Sequence, residues 1–175
     1  MPSKTAVLGI LLAAIGTLAA VLSLPEVRSF VGLDKSKAHE ERVNRFVVEY
    51  LSSSDTTRAY KPKQPSELAL YFEFPIHNYY GASNVQESEF YSMIGEYYLL
   101  WPQRAYVMTG SPNIIQSSKV REGTFSLVDG AFSYEVSRDV DGEPVKNSGT
   151  RTIRIELLER SNGEFKILSV YEFKG

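Results

Sequence analysis

FYSMIGEYYLLWPQRAYVMTG, residues 90–110, is where the chain changes character. In its first half Phe90, Met93, Ile94, Tyr97, Tyr98 and Trp101 recur at helical spacing, so these large apolar groups share one helix face. Pro102 stops that helix, because its ring drives the preceding Trp101 out of the helical region. From residue 105 onward the chain reads as strands, whereas upstream it reads as helices with one short strand between them.

Working upstream, Val43, Phe46, Val47, Tyr50 and Leu51 fall at i, i+3, i+4, i+7 and i+8 and predict a helix over 37–52. Ser36 is the expected N-cap, with Glu40 and Glu41 near the positive end of the helix dipole. SSSDTT (52–57) breaks the pattern, and a second short helix is expected to open at Pro65 and run through SELALYF until Pro75. FPIHNYYG (74–81) reads as a short strand closed by Gly81. The third helix then takes Ser83 or Asn84 as its cap, with Gln86 or Glu87 completing a capping box. Downstream the predicted strands cover 105–109, 113–116, 123–138, 150–160 and 164–173. Asn162-Gly163 predicts a hairpin between the last two, and DVDGEPVKNSG (139–149) a longer polar loop. Within 123–138 the apolar parity shifts from Phe125 and Leu127 to Phe132, Tyr134 and Val136. A bulge or bend is therefore expected at Gly130.

The run AVLGILLAAIGTLAAVLSL (6–24) contains no charge. As a helix, residues 5–24 would span about 30 Å, the thickness of a bilayer's hydrocarbon core. A membrane anchor is the expectation, and a cleaved signal peptide is the competing reading. The best small-x-small site for cleavage, Val21-Leu22-Ser23, is poor and is followed at once by Pro25. Residues 1–24 are thus taken as anchor, 25–37 as juxtamembrane linker and 38–175 as one folded domain, large enough for one core. Basic residues on the two sides (Lys4 before; Arg28, Lys35 and Lys37 after, offset by Glu26 and Asp34) hardly discriminate orientation. A short leader ahead of an apolar span predicts a cytoplasmic N-terminus and a domain outside the cytoplasm. Gly9 and Gly16 would allow close helix packing within the membrane.

Charge and composition exclude several classes. The chain has 19 basic and 21 acidic side chains, a net −2. Setting aside residues 1–37, with four basic and two acidic groups, leaves 15 basic against 19 acidic, a net −4. A domain that neutralises phosphates is normally basic, so nucleic acid is not an expected partner. With no cysteine there is no disulfide, thiol nucleophile, cysteine-rich zinc site or lipidated N-terminal cysteine. The only histidines, His39 and His77, lack metal-ligand spacing, and no GxSxG, GxxxxGK[ST] or GxGxxG occurs. Neither a metal nor a cofactor is expected.

Three segments carry a resemblance: FVVEYL (46–51), YFEFPIHNYYG (71–81) and the opening FYSMIGEYYLLWPQRAYVMTG, with ILSVYEF (167–173) closing the chain. With the order of elements, they resemble the cone-shaped α+β fold of the nuclear transport factor 2-like (SnoaL-like) superfamily, over about residues 38–174. YYG and WPQR also look like elements of bacterial members that follow membrane spans. The resemblance implies a curved antiparallel sheet wrapped around three helices and enclosing a conical pocket, behind one transmembrane helix. Members include isomerases, dehydratases and cyclases, and also non-catalytic binding and dimerising domains. One periplasmic component of type IV secretion systems likewise joins a span to such a domain. Fold alone does not specify which role applies.

The informative residues are aromatic: Tyr79, Tyr80, Tyr97, Tyr98, Trp101 and Tyr106 crowd a short stretch. Packing of the third helix on the sheet explains most of them; the functional alternative is that some line an apolar cavity for a ring-shaped or lipidic ligand. The ligand-pocket candidates are Tyr50, His77, Tyr80, Tyr98, Trp101, Arg104 and Tyr106. Arg104 is expected to pair with Glu96 or Glu172, with anion recognition as its sharper alternative. An isomerase would need a carboxylate base opposite a hydroxyl, for which Asp129 or Glu172 and Tyr50 are the candidates, none placed by a motif. In 151–160, Ile153, Ile155 and Leu157 alternate with a solvated face of Thr152, Arg154 and Glu156. The expected function is a membrane-anchored extracytoplasmic binding or assembly module, probed against an enzyme acting in the cone. Its expected partners are membrane lipid through residues 5–24, a small apolar ligand, and either a second copy on the open sheet face or subunits of a membrane complex.

Overall fold

In the computed structural model, residues 33–58 and 61–173 are described, the side chains of 33–35 excepted. The expected anchor, residues 1–24, and linker residues 25–32 lie outside the described residues. Among the described residues no helix is long and apolar enough to cross a membrane. The chain divides between Val43 and Asn44, and the fold is that of the second unit, Asn44–Gly175.

Helix α1 (Leu33–Ser52) begins earlier than its apolar stripe suggests, so Ser36 lies inside it and does not cap it. Beyond Asn44 it buries Val47, Tyr50 and Leu51, and Phe46 meets the rings of Tyr71 and Phe165 at 5.6 and 5.1 Å. Helix α2 (Pro65–Ala69) is shorter than expected: five residues, with the Glu67 carboxylate accepting from the Gln64 N–H at 2.7 Å. The chain then leaves the helix to lie against the sheet. Phe72 bridges Ile167 in parallel, and the Ile167 N–H donates to the Tyr71 carbonyl.

Strand β1 (Ile76–Tyr79) is followed by a turn at Tyr80-Gly81 and by β2 (Ala82–Val85), a strand not anticipated. Because Ser83 is paired with Asn78, neither Ser83 nor Asn84 caps helix α3 (Glu87–Leu100). The capping box sits later, with the Glu89 carboxylate accepting from the Gln86 N–H at 2.8 Å. Trp101, with φ −127° and ψ 80°, ends α3 in front of Pro102 as expected.

The remaining strands are β3 (Gln103–Met108), β4 (Asn113–Val120), β5 (Gly123–Val140), β6 (Glu143–Arg160) and β7 (Phe165–Phe173). They form one open curved sheet in the order β2-β1-β7-β6-β5-β3, with β4 sharing the β3 edge of β5. Only β1 and β7 run parallel. The hairpin at Asn162-Gly163 is present. The long loop at 139–149 is not. A two-residue turn at Asp141 and Gly142, with φ of +55° and +88°, joins two strands of 18 residues each. Residues 141–150 are polar because this end of the ribbon is solvated, not because it leaves the sheet.

Gly130 makes no bulge either. β5–β6 pairing runs unbroken from Gly123↔Arg160 to Val140↔Glu143. The even positions face the core throughout, but Thr124, Ser126 and Gly130 are small, while Phe125 and Leu127 occupy the other face. Irregularities that help the sheet curl lie at Ile115 in β4 and opposite Glu156 in β7.

Sheet and helices close on an aromatic cluster centred on Phe72, 3% exposed. Its ring lies 4.9 Å from Phe90, 5.5 Å from Tyr50 and 5.6 Å from Tyr79. Ile76, Ile153, Ile155, Leu157, Ile167 and Val170 form the sheet side of the core. Replacing Phe72 by Ala should lower stability by about 3–5 kcal/mol, as large-to-small changes in tight cores do. Leu99→Ala, at a side chain 86% exposed, should stay within about 0.5 kcal/mol. Denaturant midpoints of the full chain check both, and equal effects would contradict the assignment of the core.

Candidate functional site

Helix α3 lies across the mouth of the curved sheet, and its spacing turns Met93, Ile94, Tyr97, Tyr98 and Trp101 inward together. On the facing strand β5, alternate residues Phe132, Tyr134 and Val136 point the same way. The end of α1 contributes Tyr50 and Leu51, β1 and its turn Tyr79 and Tyr80, β3 Tyr106, and β6 Asn147 and Arg151. Together they enclose a cavity of about 360 Å³, the size of a small-molecule site. Seven tyrosines wall it, along with Trp101, the only tryptophan in the chain. Among the described residues, no carboxylate and no histidine lines it.

One wall is a loop, 53–57, that contributes Ser53 and Ser54 and is held by buried polar groups. Asp55, 4% exposed, accepts hydrogen bonds from the Thr57 N–H and hydroxyl, both 2.7 Å, and from the Tyr106 N–H at 3.1 Å. Arg58 adds an ion pair at 3.5 Å. The Thr56 N–H donates to the Arg104 carbonyl, and the Arg104 N–H to the Thr56 hydroxyl, both at 2.8 Å. The Arg104 side chain, also 4% exposed, donates to the carbonyls of Ser54 (3.1 Å) and Trp101 (2.6 Å) and stacks 3.8 Å over the Tyr98 ring. Loop 53–57, the end of α3 and the start of β3 are thereby locked into one wall.

The phenols inside the cavity carry hydrogen bonds. The Tyr97 and Tyr106 hydroxyls share a hydrogen bond of 2.8 Å, and Tyr98 donates to the Lys63 carbonyl at 3.1 Å. Burial pushes Tyr80 and Tyr98 up to about 12, and raises Tyr50, Tyr79 and Tyr106 well above the ordinary phenol value. At the rim, Arg151 donates to Glu172 at 2.5 Å and sits 5.0 Å over the Tyr134 ring. Tyr134 reaches this position because its cross-strand neighbour is Gly149, where a Cβ would come within 3.2 Å of the phenol.

Of the residues singled out from sequence, Tyr50, Tyr80, Tyr98, Trp101 and Tyr106 line the cavity. His77 does not: it follows buried Ile76 on β1, so strand alternation turns it outward, exposed. Arg104 lies behind the wall, bonded to backbone carbonyls instead of Glu96 or Glu172. Glu172 is taken by Arg151, and Asp129 by a two-pronged pair with Arg154 at 2.6 and 2.8 Å. The sequence reasoning missed Arg151, Tyr134 and Asn147. Arg151 shares the parity of Ile153, Ile155 and Leu157, and a charged residue in register with the apolar face of a strand is the signal that could have found it.

The lowered pKa of Asp55 makes the loop a pH-dependent element. Burial alone would raise it, but the donors from Thr57 and Tyr106 and the Arg58 charge outweigh that and hold it below the ordinary carboxylate value. A group lowered on folding stabilises fully above its unfolded value, about 3.9, and loses that contribution as pH falls below it. Asp55→Asn should therefore cost about 1–3 kcal/mol near neutral pH. The gap to wild type should shrink as the pH drops through about 4. Denaturation series across that range check this; a gap that stays constant or widens would contradict it.

No family model matches the chain, and no curated protein matches it. Solved structures do. A nuclear transport factor 2-like superfamily protein from Salmonella enterica aligns with a TM-score of 0.57 and 11% identity, over 79% of this chain and 92% of that one. A structure from Catenulispora acidiphila gives 0.55 and 15%, over 79% and 93%. A nuclear transport factor 2-like protein with a cystatin-like fold from Novosphingobium aromaticivorans gives 0.53 and 10%, over 86% and 90%. At such identities the likeness is one of fold: the chain shares the α+β architecture of the nuclear transport factor 2-like structures, an open curved sheet closed over a few helices.

Proposed function

We propose that the chain is a membrane-anchored, extracytoplasmic binding module whose cavity holds the ring-bearing, largely apolar body of a small ligand without transforming it. The observation that carries this reading is the cavity of about 360 Å³, walled by tyrosines and Trp101 and, among the described residues, lined by no carboxylate or histidine. Proton-transfer chemistry needs a titrating group near neutrality within reach of the substrate. Burial pushes the lining phenols of Tyr50, Tyr79, Tyr80, Tyr98 and Tyr106 away from that range, and Glu172 is paired. Rings, by contrast, suit such walls, since offset and edge-on aromatic contacts add to simple burial. An isomerase or dehydratase acting in the cone is the rival, and it requires a base from outside this lining.

The uncharged run 6–24 supports single-span anchoring, with the N-terminus in the cytoplasm and the domain outside. The outer sheet face is offered as the surface for a second copy or a membrane-complex subunit. Leu127, Leu158, Leu168 and Tyr171 are only half-buried there.

Trp101 makes ligand binding directly measurable. The neutral fluorophore N-phenyl-1-naphthylamine added to the full chain should show saturable energy transfer from Trp101. Transfer that rises without saturation would overturn the pocket reading. For the anchor, the chain should stay in the membrane fraction through alkaline carbonate extraction and retain its N-terminal residues. A mature protein beginning at Leu24 or nearby would contradict it.

A further inference from the structure

The cavity wall is sided by guanidinium groups. Arg104 stacks at 3.8 Å on Tyr98, Arg138 lies 5.3 Å from the Trp101 ring, and Arg151 lies 5.0 Å from Tyr134. All three rings line the cavity. Only Arg151 has a carboxylate partner among the described residues, Glu172. Arg104 is buried and donates to backbone carbonyls alone, and the Nε of Arg138 is buried without an acceptor. Nearby carboxylates are Asp55, matched by Arg58, and Glu96 and Asp139, which border the outer groove that holds Arg138. Among the described residues, the one charged side chain in the cavity lining itself is the cation Arg151.

We infer that the ligand is an anion, a ring compound carrying a single carboxylate or similar oxyanion, with its charged end at Arg151 and its ring among the tyrosines. This rests on the pocket reading above and narrows it. Guanidinium charge at the lining disfavours a cation and leaves a neutral ligand without the Coulombic gain that an anion has. The wall supplies the complementary hydrogen bonds as well. Where two hydroxyls pair, as in Tyr97 and Tyr106, one O–H is left over to donate, and an anion accepts it better than a neutral oxygen does. The hydroxyls register the field: burial raises all three, but Arg104 pulls Tyr98 and Tyr106 down and Arg151 pulls Tyr80 down. Glu172 competes for Arg151 and sets a threshold that a ligand carboxylate must overcome.

Three probes of one shape test this on the full chain: 2-naphthoate, 2-naphthamide and 2-naphthylmethylammonium, followed by calorimetry and Trp101 fluorescence. The naphthoate should bind about tenfold more tightly than the amide, from exchanging neutral for charge-assisted hydrogen bonds, and the ammonium weakest. Arg151→Gln should erase most of that preference. Glu172→Gln should increase it, an opposite effect that a merely structural ion pair would not produce. Circular dichroism spectra matching wild type show that both variants are folded. An amide or ammonium that binds as tightly as the naphthoate overturns the anion inference and leaves the ring-binding cavity standing. Loss of preference in both variants overturns it as well. Failure of all three probes, with N-phenyl-1-naphthylamine also unbound, removes the pocket reading itself.

Discussion

A guanidinium held at 4% exposure, with no carboxylate paired to it among the described residues, is the constraint on which the site depends. Taking such a charge out of water costs several kcal/mol unless its donors are satisfied. Arg104 meets that cost with the Ser54 and Trp101 carbonyls and the face of Tyr98. Those contacts lie on loop 53–57 and on the end of α3, and Arg104 itself opens β3, so satisfying one side chain fixes all three segments together. Asp55 repeats the logic with opposite sign, gathering donors from Thr57 and Tyr106. The cavity exists because its wall is pinned by these two buried groups while α3 is held off the sheet by large rings. The charge that pins the wall also colours the cavity.

Much of the fold was legible because the strongest signals in the sequence are local. The stripe of α3, the stop at Pro102, the turn at Asn162-Gly163 and the succession of strands each rest on a periodicity or a turn residue. What failed depended on which face meets solvent. Residues 139–149 look like a loop since polarity on both faces of a ribbon is indistinguishable, in one sequence, from polarity of a loop. Gly130 looks like a bulge since small residues at Thr124 and Ser126 hide the core-facing register and leave Phe125 and Leu127 conspicuous. Strand β2 was hidden for a similar reason: ASNV, residues 82–85, has the composition of a cap and becomes a strand by pairing with β1.

The site divides in the same way. Tyrosines clustered in sequence were visible as candidates, and five of the seven residues chosen line the cavity. His77 is a candidate by residue type, and strand alternation sends it outward. Arg104 was selected for its charge, and the charge is spent on backbone carbonyls. Arg151 and Tyr134 are brought together across β5 and β6 by an 18-residue register that no local pattern specifies, and Gly149 owes its importance wholly to that pairing.

A neutral, donor-bearing aromatic wall backed by guanidinium groups is a binding surface first, selective for shape through its rings and for sign through its charges. A crystal structure of the full chain grown with 2-naphthoate tests that most directly. The expected result is the ring between Tyr97, Tyr106 and Phe132, with the carboxylate hydrogen-bonded to Arg151. A cavity collapsed onto its own side chains, or naphthoate bound elsewhere with Arg151 still on Glu172, would contradict it.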